Sequence, residues 1–260
     1  MQNLFRLDGK KALITGGCRG IGRMMAEGLL QAGAEVWVTG RDAGFVHQAV
    51  ADMCRLGPCH GIVAELDNQA GIQALADTVL AAAPDLHILI NNAAQYQVAP
   101  LLDTDYDSFN HMLQVNLTAA FELSRLLLPA LQQTSQPLDP ARIIHIGSNV
   151  ALSHSAWHSW AYSSAKHALH HLAVMMASDL TSQGVNVNAI APGTFDTRMI
   201  DGWRADDGSF DAEAAGMPMK RLGQADDIQG VITLLCSRAG AFIAGAVIPV
   251  EGASMLRPMA

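Results

Sequence analysis

Tyr162 and Lys166 stand four positions apart, so a helix through them carries a phenol and an ammonium on one face. A tyrosine ordinarily loses its proton at about pH 10, and a neighbouring cation favours the phenolate. Lowering the phenol by ~2 units takes about 2.7 kcal/mol. One charge at ~4 Å in an effective dielectric of ~20 supplies energy of that order. Reduction of a ketone leaves negative charge growing on its oxygen, so a proton must arrive there. Tyr162 is the candidate donor, and in the reverse direction the candidate base.

A second chemical device lies near the N-terminus, in Thr15-Gly16-Gly17-Cys18-Arg19-Gly20-Ile21-Gly22. Here Gly16 lets the chain turn sharply, Gly20 allows the backbone to approach a pyrophosphate, and Gly22 lets a helix pack on a sheet. Amides at the start of the helix and its macrodipole then hold phosphates. The spacing is Gly-x3-Gly-x-Gly rather than the common Gly-x-Gly-x-x-Gly fingerprint.

These groups need elements to hold them. Apolar runs at Ala12–Ile14, Val36–Val38, Gly61–Ala64 and Leu86–Ile90 read as four buried strands, with helices over 20–31, about 43–56, and through Leu75 and Val79. Three more strands are expected at Arg142–Ile146, Val185–Ile190 and Ala246–Val250, with long helices near 106–133, 160–182 and 226–236. Continuous apolar strands alternating with helices predict an α/β chain, a parallel sheet of about seven strands covered on both faces. With right-handed crossovers this is a doubly wound Rossmann fold. Neither a repeat nor a linker divides residues 1–260, which read as one domain. Residues 134–140 form a surface connection. The least regular stretch, 194–222, follows a strand's C-terminal end and is expected to be a substrate lid.

The composition narrows the function further. The chain has 260 residues, half of them hydrophobic, and a formal net charge of −8, which argues against nucleic acid or an anionic membrane as partner. No apolar run approaches the ~18 residues of a membrane span, and Met1–Arg6 lacks the apolar stretch of a signal peptide. A cytoplasmic protein is expected, with Cys18, Cys54, Cys59 and Cys236 as free thiols.

The glycine loop resembles that of the short-chain dehydrogenase/reductase family, Thr-Gly-x3-Gly-x-Gly, and the resemblance continues along essentially the whole chain. Asn91-Asn92-Ala93-Ala94 is similar to the family's Asn-Asn-Ala-Gly, and Asn116 lies in a Val-Asn-Leu context. Ser148, Tyr162 and Lys166 resemble the catalytic serine and the Tyr-x3-Lys pair. Pro192, Gly193 and Thr197 resemble the Pro-Gly-x3-Thr turn that holds the nicotinamide carboxamide. The resemblance implies an oxidoreductase that moves a hydride between a nicotinamide cofactor and a carbonyl or secondary alcohol. Within it Ser148 would donate to the substrate oxygen as an oxyanion donor does. Asn116 would hold a proton-passing water, and Lys166 would also bond the nicotinamide ribose. Cofactor contacts are expected from Gly16, Cys18, Arg19, Gly20, Ile21, Gly22, Arg41, Glu65, Leu66, Asn92, Ala93, Tyr162, Lys166, Pro192, Gly193 and Thr197. Glu65 stands where the family usually carries an aspartate on the adenine amino group.

NAD users place an acid at the end of the second strand, where it binds both ribose hydroxyls. Val38-Thr39-Gly40-Arg41 has none before Asp42. A 2′-phosphate needs cations instead, and arginine grips it bidentately. Arg41 and Arg19 therefore point to NADP(H) rather than NAD(H).

Ser148 and Tyr162 are 14 positions apart, one more than the commonest family spacing, so the intervening loop must bulge. It carries His154, Trp157, His158 and Trp160. Ala94 replaces a glycine, which is tolerated if φ stays negative. Candidate substrate contacts are Asn149, Trp157, Phe195 and Met199. With Trp160 and Trp203 they suggest an apolar pocket.

Similarity is strongest to bacterial 3-oxoacyl (β-ketoacyl) thioester reductases of the NADPH-dependent branch linked to rhamnolipid precursors. The substrate is then a 3-oxoacyl thioester or related ketone. Few basic residues lie around the site to dock an acidic carrier protein; the lid holds Arg198, Arg204, Lys220 and Arg221. The alternatives are a polyol or sugar-acid dehydrogenase of the same family and a cofactor-binding sensor or scaffold without catalysis. His167 and His171 have the i, i+4 spacing of a ligand pair, but no carboxylate or cysteine joins them in sequence and no metal is expected. In this family the two long helices pair across subunits, which implies a homotetramer.

Overall fold

The computed structural model describes residues 4–152, 158–197, 200, 202, 204 and 208–256. Seven strands form one parallel sheet in the order β3-β2-β1-β4-β5-β6-β7. They are β1 (Lys11–Ile14), β2 (Glu35–Gly40), β3 (Cys59–Val63), β4 (Ile88–Asn91), β5 (Ala141–Ile146), β6 (Val185–Pro192) and β7 (Val247–Val250). Every residue of β4, β5 and β6 is buried, the polar Asn91, Arg142, His145, Asn186 and Asn188 included, as strands covered on both faces must be.

Successive side chains on a strand point to opposite faces, and the core divides accordingly. Ala12, Ile14, Ile144 and Ile190 pack with Met25 and Leu29 of α1 (Gly20–Gln31), Ala49 and Met53 of α2 (Ala43–Met53), and Ile228 and Ile232 of α8 (Ala225–Cys236). On the other face Leu13, Ile143 and Val187 pack with Leu75 of α3 (Gln69–Ala82), Leu123 and Leu127 of α5 (Ala119–Thr134), and Ala173 and Ala177 of α6 (Trp160–Leu180). The doubly wound Rossmann-type sheet expected from the sequence is the architecture found.

One expected element differs. The helix read over 106–133 is α4 (Tyr106–Leu113), a π turn over Gln114–Thr118, and then α5. A single π turn is too short to stand out in the hydrophobic pattern of a long helical stretch; such turns gather at functional sites. The irregular stretch after β6 also holds a short helix, α7 (Asp211–Gly216).

The chain winds outward from β1 through β2 to β3, then crosses to place β4 on the other side of β1. The connections from β1 and β4 thus leave in opposite directions and open a crevice at the strands' C-terminal ends, where doubly wound sheets bind ligands.

Candidate functional site

The turn after β1 is held by polar contacts to both neighbouring strands. Thr15 Oγ1 accepts the Asn92 and Ala93 amides, each at 2.9 Å, and Asn92 Nδ2 donates to Thr15 O at 2.8 Å and to Gly16 O at 3.2 Å. From β2, Thr39 Oγ1 accepts the Gly16 amide at 3.1 Å. Gly16 has φ 64, and a Cβ there would come within 3.1 Å of Ala93 Cα; only glycine takes this turn without strain. Helix α1 then starts at Gly20 with no side-chain cap and no acid in its first turn. Its first amides lack intrahelical acceptors by geometry, which leaves them suited to an anion. Ile21 packs against the core beneath the loop. Thr197 lies across the crevice, its Cγ2 3.4 Å from where a Cβ on Gly20 would sit. Pro192 ends β6, and the Gly193 amide donates to Val250 O at 2.9 Å.

Arg19 and Arg41 are both exposed. Among the described residues the other lysines and arginines, Arg238 excepted, have acidic or carbonyl partners: Arg6–Asp8, Lys10–Asp139, Lys11–Asp85, Arg23 with Glu27 and Asp52, Arg55–Asp52, Arg125–Glu122, Arg142–Asp139, Arg204–Asp196, Arg221–Asp227, Lys166 on Ile146 O and Lys220 on Ala215 O. Asp42, the first acid after β2, is committed to capping α2, where Oδ1 accepts the Phe45 amide at 2.8 Å. The residues fit an NADP(H) 2′-phosphate: two exposed arginines with no carboxylate partner among the described residues border the cradle. Cys18 sits between loop and β2, Sγ 3.4 Å from Thr39 O, and burial pushes its thiol up to about 11. Glu65 is exposed and Leu66 buried just after β3.

Across the crevice, Ser148 follows β5, and Tyr162 and Lys166 project from the first turns of α6, all three buried. Lys166 Nζ donates to Ile146 O at 2.7 Å and lies 5.7 Å from the Tyr162 ring centre. Burial brings this lysine down to about 7. The same burial pushes Tyr162 up to about 12, while the Ser148 hydroxyl bonded to it pulls the other way and Tyr96 adds to the rise. Dehydration of the phenolate dominates, and an ammonium that is itself dehydrated and turned to a carbonyl does not offset it. The site holds a protonated phenol at neutral pH.

Asn116 lies in the π turn, fully buried. Its Nδ2 donates to Met112 O at 2.9 Å and Gln95 O at 3.0 Å, while Oδ1 has no partner among the described residues. A buried acceptor left over in this way is suited to a bridging water. The structure thus brings Asn116, Ser148, Tyr162 and Lys166 into one corner. Asn149, half-buried, is bonded to Ser148 and to Ser254.

Phe195 is placed inward. It is 2% exposed, belongs to the core, and lies flat on Gly223, where any Cβ would strike its ring. An aromatic in an irregular segment reads as pocket lining in sequence, whereas here it anchors that segment to the sheet. Trp157, Met199 and Trp203 lie outside the described residues. Among the described residues no three His, Cys, Asp or Glu side chains gather as a metal site would need.

Two neighbours of the site carried no usable sequence signal. Tyr96, after β4, meets Tyr162 edge-to-face at 4.9 Å, and its hydroxyl is buried without a partner among the described residues. His170, one turn beyond Lys166, accepts the Ser148 amide on Nε2 at 3.4 Å and covers Gly147 so closely that a Cβ there would enter the imidazole. Its spacing from Lys166 placed it on the right face, but its sequence context pointed only to helix.

A family model described as enoyl-(acyl carrier protein) reductase matches residues 16–253. A rhamnolipids biosynthesis 3-oxoacyl-[acyl-carrier-protein] reductase from Pseudomonas aeruginosa is 37% identical over 97% of this chain and 98% of its own length. A 2-dehydro-3-deoxy-D-gluconate 5-dehydrogenase from Pseudoalteromonas atlantica is 30% identical over 99% of this chain and all of its own. Among solved structures, the Pseudomonas aeruginosa RhlG/NADP active-site complex superposes with a TM-score of 0.94 at 37% identity, covering 98% of this chain and 100% of that one.

Proposed function

We propose that this chain, which belongs to the short-chain dehydrogenase/reductase family, is an oxidoreductase that uses NADP(H) to reduce the ketone of a 3-oxoacyl thioester or a related carbonyl compound. The observation that carries this reading is the corner where a protonated, buried Tyr162 meets the Ser148 hydroxyl and Lys166, opposite a phosphate cradle flanked by unpaired arginines. When bound, the cofactor supplies or accepts the hydride. Gly16, Gly20, Gly22 and the α1 amides would hold its pyrophosphate, with Cys18 and Ile21 beside them. Arg19 and Arg41 would take the 2′-phosphate, Glu65 and Leu66 would border the adenine, and Asn92, Ala93, Pro192, Gly193 and Thr197 would flank the nicotinamide half. Tyr162 gives its proton to the oxygen on which charge grows, Ser148 donates a hydrogen bond to the same oxygen, and Lys166 bonds the ribose. Asn116 keeps an acceptor free for the water that restores the proton.

The substrate class rests on the similarity to a 3-oxoacyl reductase at 37% identity. Lid cations Arg204 and Arg221 are tied to Asp196 and Asp227 at 2.6 Å each, which disfavours docking of an acidic carrier. Oxidation of a polyol or sugar acid is the second reading, favoured by the 30% identity to a sugar-acid dehydrogenase. The chain would act as one domain, residues 1–260, with 194–222 as lid, in a homotetramer in the cytoplasm. Among the described residues no helix is long and apolar enough to cross a membrane.

The test is NADPH oxidation with acetoacetyl-CoA, a longer 3-oxoacyl-CoA and a small diketone. Turnover of the long thioester, abolished in Tyr162→Phe, is expected. Good NADPH binding with no turnover of any thioester would discard the acyl reductase and favour the sugar-acid reading.

A further inference from the structure

The turn after β7 reaches back to the serine. Glu251 Oε2 accepts from Ser254 Oγ at 2.6 Å and from the Met255 amide at 2.9 Å. Ser254 Oγ accepts from Asn149 Nδ2 at 3.2 Å, and Asn149 Oδ1 accepts from Ser148 Oγ at 3.4 Å. The turn is sharp, with Gly252 at φ 60 and Ala253 at φ 62. Glu251 also lies under the Pro192–Gly193 turn, its Cβ 2.7 Å from where a Cβ on Gly193 would stand.

We propose that Glu251 is a positioning residue for Ser148, acting through Ser254 and Asn149; this rests on the reading that Ser148 donates to the substrate oxygen. The donors available set the sense of the chain. A carboxylate only accepts, so the Ser254 hydroxyl must donate to it and keeps a lone pair for Asn149. The Asn149 amide then spends its NH2 on Ser254 and turns its oxygen to Ser148. That oxygen holds the serine proton at 3.4 Å, a weak bond, until an oxygen gaining negative charge competes for it. A glutamine at 251 donates as well as accepts, so the sense is no longer set. Asn149 is then free to turn its NH2 toward Ser148, which removes the acceptor that orients the serine proton.

The experiment is a set of double-mutant cycles on NADPH-dependent reduction of the best carbonyl substrate. E251Q and S254A are each expected to lower kcat about fivefold to tenfold, the range of one lost hydrogen bond, with the KM for NADPH within about twofold. Their double variant should fall no lower than the worse single, and E251D, which keeps an accepting carboxylate, should recover most of kcat. In the S148A background E251Q should change kcat less than about twofold, because the residue it acts through is gone. The same loss in that background, or a rise in the NADPH KM that accounts for it, would overturn the proposal and assign Glu251 to the Pro192–Gly193 turn. If E251Q does not fold, S254A with and without S148A carries the test. Full kcat in S148A sinks the reading of Ser148 itself. A large loss in S148A with unchanged kcat in E251Q and S254A sinks the Glu251 proposal alone.

Discussion

A phenol pushed up to about 12 is protonated throughout the neutral range, so Tyr162 is ready to donate and slow to accept. Tyr162 should therefore cause no fall in reduction between about pH 6 and 8, any change near pH 7 reporting Lys166 instead, while oxidation, which needs the phenolate, should climb with pH, approaching tenfold per unit. Parallel pH–rate profiles in both directions check this; an oxidation limb that flattens below about pH 8 would contradict it. At the other end of the crevice, Arg41→Ala should raise the KM for NADPH by about 10-fold to 100-fold, the weight of a charged hydrogen bond, and leave NADH nearly unchanged. Equal effects on both cofactors would remove the arginine from the 2′-phosphate. The identities and spacing of the glycine loop, Arg41, Ser148, Tyr162 and Lys166 were legible in sequence because each obeys a local rule. The proton affinity of Tyr162 was not, because it is set by burial under residues distant in sequence.

The elements repeat this division. Strands and most helices were readable because burial on two faces leaves continuous apolar runs. The π turn that carries Asn116 was hidden, because a single five-residue turn is too short to be told from the helices on either side of it by its pattern. The packing of Phe195 was hidden too: its partner is a bare glycine backbone at Gly223, and a sequence does not record which glycine an aromatic ring will cover. The seam between β5 and α6 is tight in the same way. With the His170 ring seated on Gly147, Gly147→Ala should cost ~1–3 kcal/mol through overpacking, read as a lowered melting temperature. Gly147→Ala combined with His170→Ala should regain part of it. A Gly147→Ala variant that melts like the native protein would show that the seam can open freely.

For the whole molecule, the outer sides of α5 and α6 leave Phe121, Val174 and Met175 exposed. If these helices pair between subunits in a homotetramer, Val174→Asp should shift the mass in solution to dimer or monomer, as light scattering after size-exclusion chromatography would read. An unchanged mass would place the contact elsewhere. The molecule carries a formal net charge of −8, and most of its described cations are paired with carboxylates, apart from the pair at the phosphate cradle, Arg238, and Lys166 and Lys220, which meet only carbonyl oxygens. Those two arginines are an island of positive potential on a negative body, able to guide an incoming phosphate from a distance comparable to the Debye length, about 8 Å at physiological salt. Cofactor choice in this protein is thereby coupled to ionic strength: added salt should erode the advantage of NADPH over NADH, chiefly by slowing its capture.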